Sequence, residues 1–164
     1  MDIIETQRLV LRPFKSADEE TFVAQITDPD FMRYSRAGAL SDAAARANFI
    51  QRLARAETKF SKLAIIEKSN RKHIGYCGVE YCELDGQQEL ELGYRLIASA
   101  RGNGYATEAA RAVLDYYQQQ GITDIIAFTA HGNEPSQAVL KKLGFKFFKN
   151  SEIESFPILV FHRE

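Results

Sequence analysis

The chain has 164 residues, 45% of them hydrophobic, and a formal net charge of -1. That length suits a single domain, residues 1–164, which can bury a core without a metal or disulfide staple. No long basic run offers a nucleic-acid surface, no apolar run reaches the roughly 18 residues that span a membrane, and no basic-then-apolar leader opens the chain, so a cytoplasmic protein is expected.

In chain order, Thr6 to Phe14 alternates, with Leu9 and Leu11 on one side and Arg8, Val10 and Arg12 on the other, and predicts a strand. Ser16 with Glu19 is a capping-box pattern that opens a helix continued by Phe22 and Ile26. Ser41 and Asp42 start a second helix, with Ala43, Ala47, Ile50 and Ala54 at helical spacing. The connection between them, Asp28 to Leu40, is polar-aromatic and aperiodic, a kind of segment that often carries function. Three strands follow: Leu63 to Glu67, Ile74 to Glu83 and Gln88 to Leu96, the last two joined by an Asp85-Gly86 hairpin turn. Ala106, Ala109, Ala110, Val113, Leu114 and Tyr117 stripe a helix that ends at Gly121. Ile122 to Ala130 is a buried strand, and Asn133 to Leu143 a helix capped by Asn133 and closed by Gly144. Phe145 to Lys149 and Ile158 to Arg163 complete the chain as strands. This α/β (α+β) order predicts a mixed sheet with helices on both faces.

Cys77 and Cys82 stand five apart on one expected strand and so face opposite ways, which leaves no C-x-x-C pair and no ready disulfide. His73, His131 and His162 are scattered without ligand spacing, and no metal is expected.

The chemistry concentrates between Glu91 and Glu108. A strand runs into the turn Arg101-Gly102-Asn103-Gly104, which opens directly into the helix at Tyr105, Ala106 and Thr107. The first N–H groups of a helix lack intrahelical partners, and its dipole favours an anion there. Glycines let backbone approach such a ligand, a pyrophosphate for example, and Arg101 adds a cation. The turn is neither a P-loop nor G-x-G-x-x-G.

Arg101 to Ala106 spells R-x-x-G-x-A, which resembles the acyl-CoA pyrophosphate loop of GNAT acetyltransferases. The blocks Gly93-Tyr94-Arg95-Leu96 and Gly104 to Ala109, the series Asn133, Ser136 and Leu143-Gly144-Phe145, and the opening Thr6 to Arg12 are similar to the ribosomal-protein N-acetyltransferase (RimJ/RimL-like) branch. One departure is Ala98, where that branch commonly has proline. The resemblance implies the GNAT fold: a mixed, mostly antiparallel sheet in which the strand of Gly93 carries a bulge and splays from the strand Ile122 to Ala130. It also implies acetyl-CoA as co-substrate, with its pantetheine arm against backbone at Tyr94, Arg95 and Leu96 and close to Asn133 and Ser136. A lone glycine within a strand agrees with a bulge or a close approach.

Acetylating an amine requires the loss of a proton from the ammonium and, at the departing thiolate, the return of one. Glu80, Glu83, Asp85, Glu89 and Glu91 form an acidic hairpin that would draw a cationic amine. Glu91 is the first candidate for the base, with a solvated strand face as the competing reading. Ser136 and Tyr94 compete for the acid, while Tyr94 and Tyr105 also suit packing. Asn133 suits a plain N-cap, Glu108 dipole compensation, and Lys141 and Lys142 either the nucleotide's 3′-phosphate or a helix C-terminus. Three activities stay open: acetylation of a peptide N-terminus or other peptide amine, acetylation of a small amine such as a polyamine, amino acid or antibiotic, and catalytically silent acetyl-CoA sensing; under each the protein is expected to be a monomer or homodimer. The acceptor pocket is expected between Asp28–Leu40 and Lys149–Pro157.

Overall fold

Alternating apolar residues build a central sheet whose two faces are sealed by different helix pairs. The computed structural model describes residues 2–163. Its elements are β1 (Ile4–Glu5), β2 (Leu9–Arg12), α1 (Glu19–Ile26), α2 (Asp42–Ala54), β3 (Lys62–Glu67), β4 (His73–Leu84), β5 (Gln87–Leu96), α3 (Tyr105–Gln118), β6 (Ile126–Ala130), α4 (Glu134–Lys142), β7 (Phe145–Ile153) and β8 (Phe156–Arg163). The strands lie in the order β1-β2-β3-β4-β5-β6-β8-β7. Every pairing is antiparallel except β5 with β6. The fold is the mixed, helix-covered α/β sheet expected.

On one face Phe14, Phe22 and Phe49 gather α1 and α2 over Ala64. On the other, Ala109, Ala110, Val113, Leu114 and Tyr117 of α3 close on Leu63, Val79 and Leu92. The β4–β5 hairpin turns through Asp85 (φ 51°) and Gly86 (φ 75°), a pair of left-handed residues that matches strand twist. Cys77 falls in the α3-side core and Cys82 packs against the separate cluster around Ile126 and Val160, so the two do face apart.

Local competition moves several expected features. The Ser16–Glu19 capping box does not form: residues 16–18 make a 3-10 turn and α1 begins at Glu19. Asp18 closes that 3-10 turn instead, accepting from the Lys15 amide at 2.7 Å and from both Arg12 terminal nitrogens at 2.7 and 2.8 Å, and its side chain bonds no amide of α1. An ionised, bidentate acceptor outcompetes a serine hydroxyl for such donors. Helix α2 is capped by Ser41, whose Oγ accepts from the Ala44 amide at 3.2 Å, yet it buries Ala45 and Phe49 and leaves Ile50 67% exposed. The phenyl ring of Phe49, 5.4 Å from that of Phe22, buries more apolar area than the alanine stripe offers and sets the helix rotation. Strand β6 starts only at Ile126, whereas β7 and β8 run longer than their apolar cores because pairing continues past an irregularity between Phe147 and Lys149 into the polar stretch to Ile153. Two-residue β1 was too short to leave a period.

Candidate active site

Strand β5 pairs with β6 at two positions, Glu91↔Ile126 and Leu92↔Ala127, and from Gly93 onward the two strands part. On its other edge β5 stays paired with β4 to Leu96. The backbone of residues 93–96 therefore faces an opening in the sheet, at the centre of a cavity of about 700 Å³. The splay agrees with expectation and the bulge does not: the β4–β5 register runs unbroken through Gly78↔Gly93.

The space left by glycine at position 93 is filled by a side chain from two strands away. Lys62, Gly78 and Gly93 stand in register across β3, β4 and β5. The Lys62 side chain crosses both glycines, and its Nζ reaches Glu91 Oε2 at 2.9 Å and the Gly78 carbonyl at 3.2 Å. A Cβ on Gly93 would lie 2.5 Å from that Nζ and 2.9 Å from Glu91 Oε1. The pair is buried, with side chains 7% and 13% exposed. Burial pulls the Lys62 pKa down, but the Glu91 and Glu80 charges outweigh it and leave the ammonium above its ordinary value. Sequence reasoning missed Lys62, although a lysine opening the apolar run Leu63-Ala64-Ile65-Ile66 was a usable signal. Glu91 Oε2 is thus engaged, while Oε1 has no hydrogen-bond partner among the described residues and borders Gly93.

Residues 92, 94 and 96 point to the opposite face of β5 from 91, 93 and 95. There the Tyr94 hydroxyl meets Ser136 Oγ at 3.0 Å and donates to the Ser136 carbonyl at 3.0 Å, so the two candidate acids form one hydrogen-bonded pair. Burial, only partly offset by the Ser136 bond, raises the Tyr94 phenol well above its ordinary pKa. Asn133 caps α4, its Oδ1 accepting from the Ser136 amide at 3.3 Å, and also lines the cavity. Thr129, which the sequence did not flag, lines the opening from β6 with a buried hydroxyl that has no hydrogen-bond partner among the described residues. Such a buried hydroxyl is satisfied by a water or by an atom of a bound molecule.

At the mouth, Gly102 and Gly104 both adopt left-handed φ, 76° and 78°. No side chain caps α3, and its first backbone bond runs from the Glu108 amide to the Gly104 carbonyl at 3.0 Å. The amides of Tyr105, Ala106 and Thr107 are left as first-turn donors. Arg101 lines the cavity but is tied by Nη1 to Asp30 at 2.8 Å and by Nε to the Leu96 carbonyl at 3.1 Å, which braces the loop against the α1–α2 connection. Asn103 bonds back to the Ala100 and Arg101 carbonyls and shapes the turn. The Tyr105 hydroxyl donates to Glu67 at 2.6 Å, and Glu108 binds Thr6 and Arg8, roles that hold α3 to the N-terminal strands. Exposed Lys142 overlooks this end of the cavity, with Arg111 donating to its carbonyl at 3.1 Å.

The segments expected to flank the acceptor do line the cavity, through Phe31 and Tyr34 on one side and Ile153 and Phe156 on the other. Arg36 and Glu154 form an ion pair that joins the two walls. Three of the five acids of the hairpin are, by contrast, neutralised: Glu80 pairs with Arg52, Asp85 with Lys149 and Glu91 with Lys62. Linear charge counting fails here because each partner comes from another element. Burial pushes the Cys77 thiol up to about 12 and the Cys82 thiol up to about 11, which leaves neither as a ready nucleophile. Among the described residues no group of three or more His, Cys, Asp or Glu is arranged to hold a metal, and no helix is long and apolar enough to cross a membrane.

A family model described as an acetyltransferase (GNAT) domain matches residues 8–146. The chain is 31% identical to the uncharacterized protein YkkB of Bacillus subtilis over 163 residues, 97% of this chain and 94% of the relative. An acetyltransferase structure from Agrobacterium tumefaciens superposes with a TM-score of 0.85 at 23% identity, covering 100% of this chain and 95% of that one. The structure of RimL, a ribosomal L7/L12 α-N-protein acetyltransferase in complex with coenzyme A, does so with a TM-score of 0.81 at 15% identity over 99% and 97% of the two chains. The splayed strands, the glycine loop opening α3 and the match over residues 8–146 agree, and the chain belongs to the GNAT acetyltransferase family.

Proposed function

We propose that this protein transfers the acetyl group of acetyl-CoA to a primary amine by direct attack within a ternary complex. The observation that carries the reading is the opening beside Gly93, with Glu91 on one face of β5 and the Tyr94–Ser136 pair on the other. Acetyl-CoA supplies the activated acetyl thioester. The first-turn amides of α3, the open backbone of residues 94–96, Asn133 and the Thr129 hydroxyl are placed to hold it, with Lys142 near its phosphates.

Glu91 Oε1 receives the proton of the acceptor amine, directly or through one water. Lys62 holds the carboxylate by its other oxygen and fixes its direction. On the far face the Tyr94 phenol, kept protonated by its raised pKa, supplies a proton toward the departing sulfur, with Ser136 as its hydrogen-bonded partner. No acetyl-cysteine is involved.

The acceptor is a peptide amine or a small amine. Likeness to the RimJ/RimL branch in the blocks at 93–96 and 104–109 supports the first. The Arg36–Glu154 bridge across the two walls favours an acceptor that passes beneath it, a slim N-terminal tail or a small molecule, over a folded surface. Calorimetry with acetyl-CoA, followed by thiol release on a panel of amines and N-terminal peptides, tests the proposal. Failure to bind acetyl-CoA overturns it; binding without turnover on any amine leaves a sensor.

A further inference from the structure

Charge in the cavity is lopsided. Arg33, Arg36, Lys62, Arg95, Arg101 and Lys142 line it against two acids, Asp30 and Glu91. Most of these cations are already matched: Arg33 and Arg101 with Asp30, Arg36 with Glu154, and Lys62 with Glu91. Lys142 belongs to the α3–α4 side of the opening. Arg95 remains. It is half-buried and lies on the same face of β5 as Glu91 and Gly93, and among the described residues it has no carboxylate partner. One contact orients it, from Nη1 to the Phe31 carbonyl at 3.3 Å.

A guanidinium carries five N–H donors in a planar fork suited to two oxygens of one anion. Arg95 lines the cavity, and the 3.3 Å contact to Phe31 uses only one of its donors. Arg95 sits two residues beyond Gly93, about 6.6 Å along the strand, so an amine at the opening and an anion at Arg95 are a few bonds apart. Tyr76 lies directly across the ladder from Arg95, and its ring packs edge-on to Phe31 at 5.9 Å. That aromatic pair gives the same corner an apolar wall.

Resting on the acetyltransferase reading above, we infer that the acceptor is an amine that carries its own carboxylate, which Arg95 grips while the amine faces Glu91. A free amino acid and a short peptide with a free C-terminus share this chemistry. A polyamine does not fit, because with one amine at Glu91 its next cationic amine would meet Arg95, and Asp30, the other lining carboxylate, is already paired.

The test uses the CoA-bound protein titrated calorimetrically with the standard amino acids and with dipeptides, each beside its C-terminal amide, followed by acetylation kinetics on the same pairs. At least one carboxylate form should bind about tenfold or more tighter than its amide, as expected when a charge-assisted, two-point contact is lost. Binding by the amino acids identifies the free species as the source, and binding by the dipeptides alone identifies the peptide. Arg95→Gln should raise KM for the preferred carboxylate about tenfold or more and bring it level with its amide, with the acetyl-CoA dissociation constant moving by less than about threefold. Arg95→Lys should recover only part, having the charge without the fork. Equal binding of acid and amide, no binding by any carboxylate form, or an Arg95→Gln defect in acetyl-CoA affinity instead of acceptor KM each overturns the inference. Loss of acetyl-CoA binding by the unmodified protein would instead sink the acetyltransferase reading on which it rests.

Discussion

In the proposed mechanism, replacing Glu91 with glutamine strips the amine of its base; in the fold it strips a buried lysine of its counter-charge, and the two consequences can be measured separately. Removing a general base typically costs about 10²–10⁴-fold in rate, and turnover of Glu91→Gln should fall by that factor. Breaking one side of a buried ion pair costs about 3–5 kcal/mol. Lys62 keeps the Gly78 carbonyl at 3.2 Å and the field of Glu80, so the lower end, about 3 kcal/mol, applies. For a chain of this size that lowers Tm by roughly 6–12 °C. Adding Lys62→Met removes the stranded charge, and Glu91→Gln/Lys62→Met should regain most of the lost Tm while its turnover stays low. The Lys62 contribution should be flat across the working range: its folded pKa is raised, so the stabilisation is complete below the unfolded value of about 10.4 and fades only above it. The rate deficit of Glu91→Gln should narrow as pH rises past the acceptor's own pKa, about 7.7–8.0 for an α-amine, because more amine is already neutral. The assays are pH–rate profiles by thiol release and thermal melts of the wild type and both variants. Profiles that overlay within about threefold, under one kcal/mol of barrier, would leave Glu91 a counter-ion for Lys62 and refute its role as base.

Gly104→Val places a β-branched residue at φ 78°, ψ 8°, where a side chain costs about 1–2 kcal/mol, and should raise the acetyl-CoA dissociation constant about tenfold or more by calorimetry, with circular dichroism unchanged. Cys77→Ala with Cys82→Ala should keep most of the turnover, and mass spectrometry of the wild type during reaction should find no acetyl-cysteine. Burial opposes ionisation of Asp18, but its bonds from Arg12 and the Lys15 amide prevail and hold its carboxyl below the ordinary range. Its stabilisation is therefore present above about pH 3.9 and lost as pH falls through the lower folded value, so Asp18→Asn should lower Tm at neutral pH and make it less sensitive to acid below about pH 4.

Features set by neighbours in the chain could be read from the residues alone. The Asp85-Gly86 turn, the Ser41 cap, the α3 stripe and the glycine loop before Tyr105 each depend on contacts within a few positions, and each stands where expected. Features that depend on a distant partner could not. Phe49 rotates α2 because Phe14 and Phe22 await it, Asp18 closes the turn before α1 because Arg12 lies on the preceding strand, and Arg101 is drawn to Asp30 from 71 residues away. The site divides the same way. The glycine loop that opens α3 is a local object and was legible, whereas the pairing of Tyr94 with Ser136 links residues that motif reading had treated as rivals.

The row Lys62-Gly78-Gly93 shows why the remaining part was hidden. Each glycine taken alone suggests a bulge or a close approach, and only the register of three strands reveals that together they form a channel for one lysine side chain. A Cβ on Gly78 would meet the Ser61 carbonyl at 2.2 Å and the Lys62 Cα at 2.7 Å, so the first glycine brings β3 and β4 close, and the second leaves room for the ammonium at Glu91. The channel has a chemical consequence. A hairpin that reads as acidic loses most of its charge beside the opening, because Arg52 meets Glu80 and Lys62 meets Glu91. A cationic amine therefore gains little from the general field of this face, and recognition falls to directed contacts: the free oxygen of Glu91 for the amine, and the unpaired guanidinium of Arg95 for whatever else the acceptor carries.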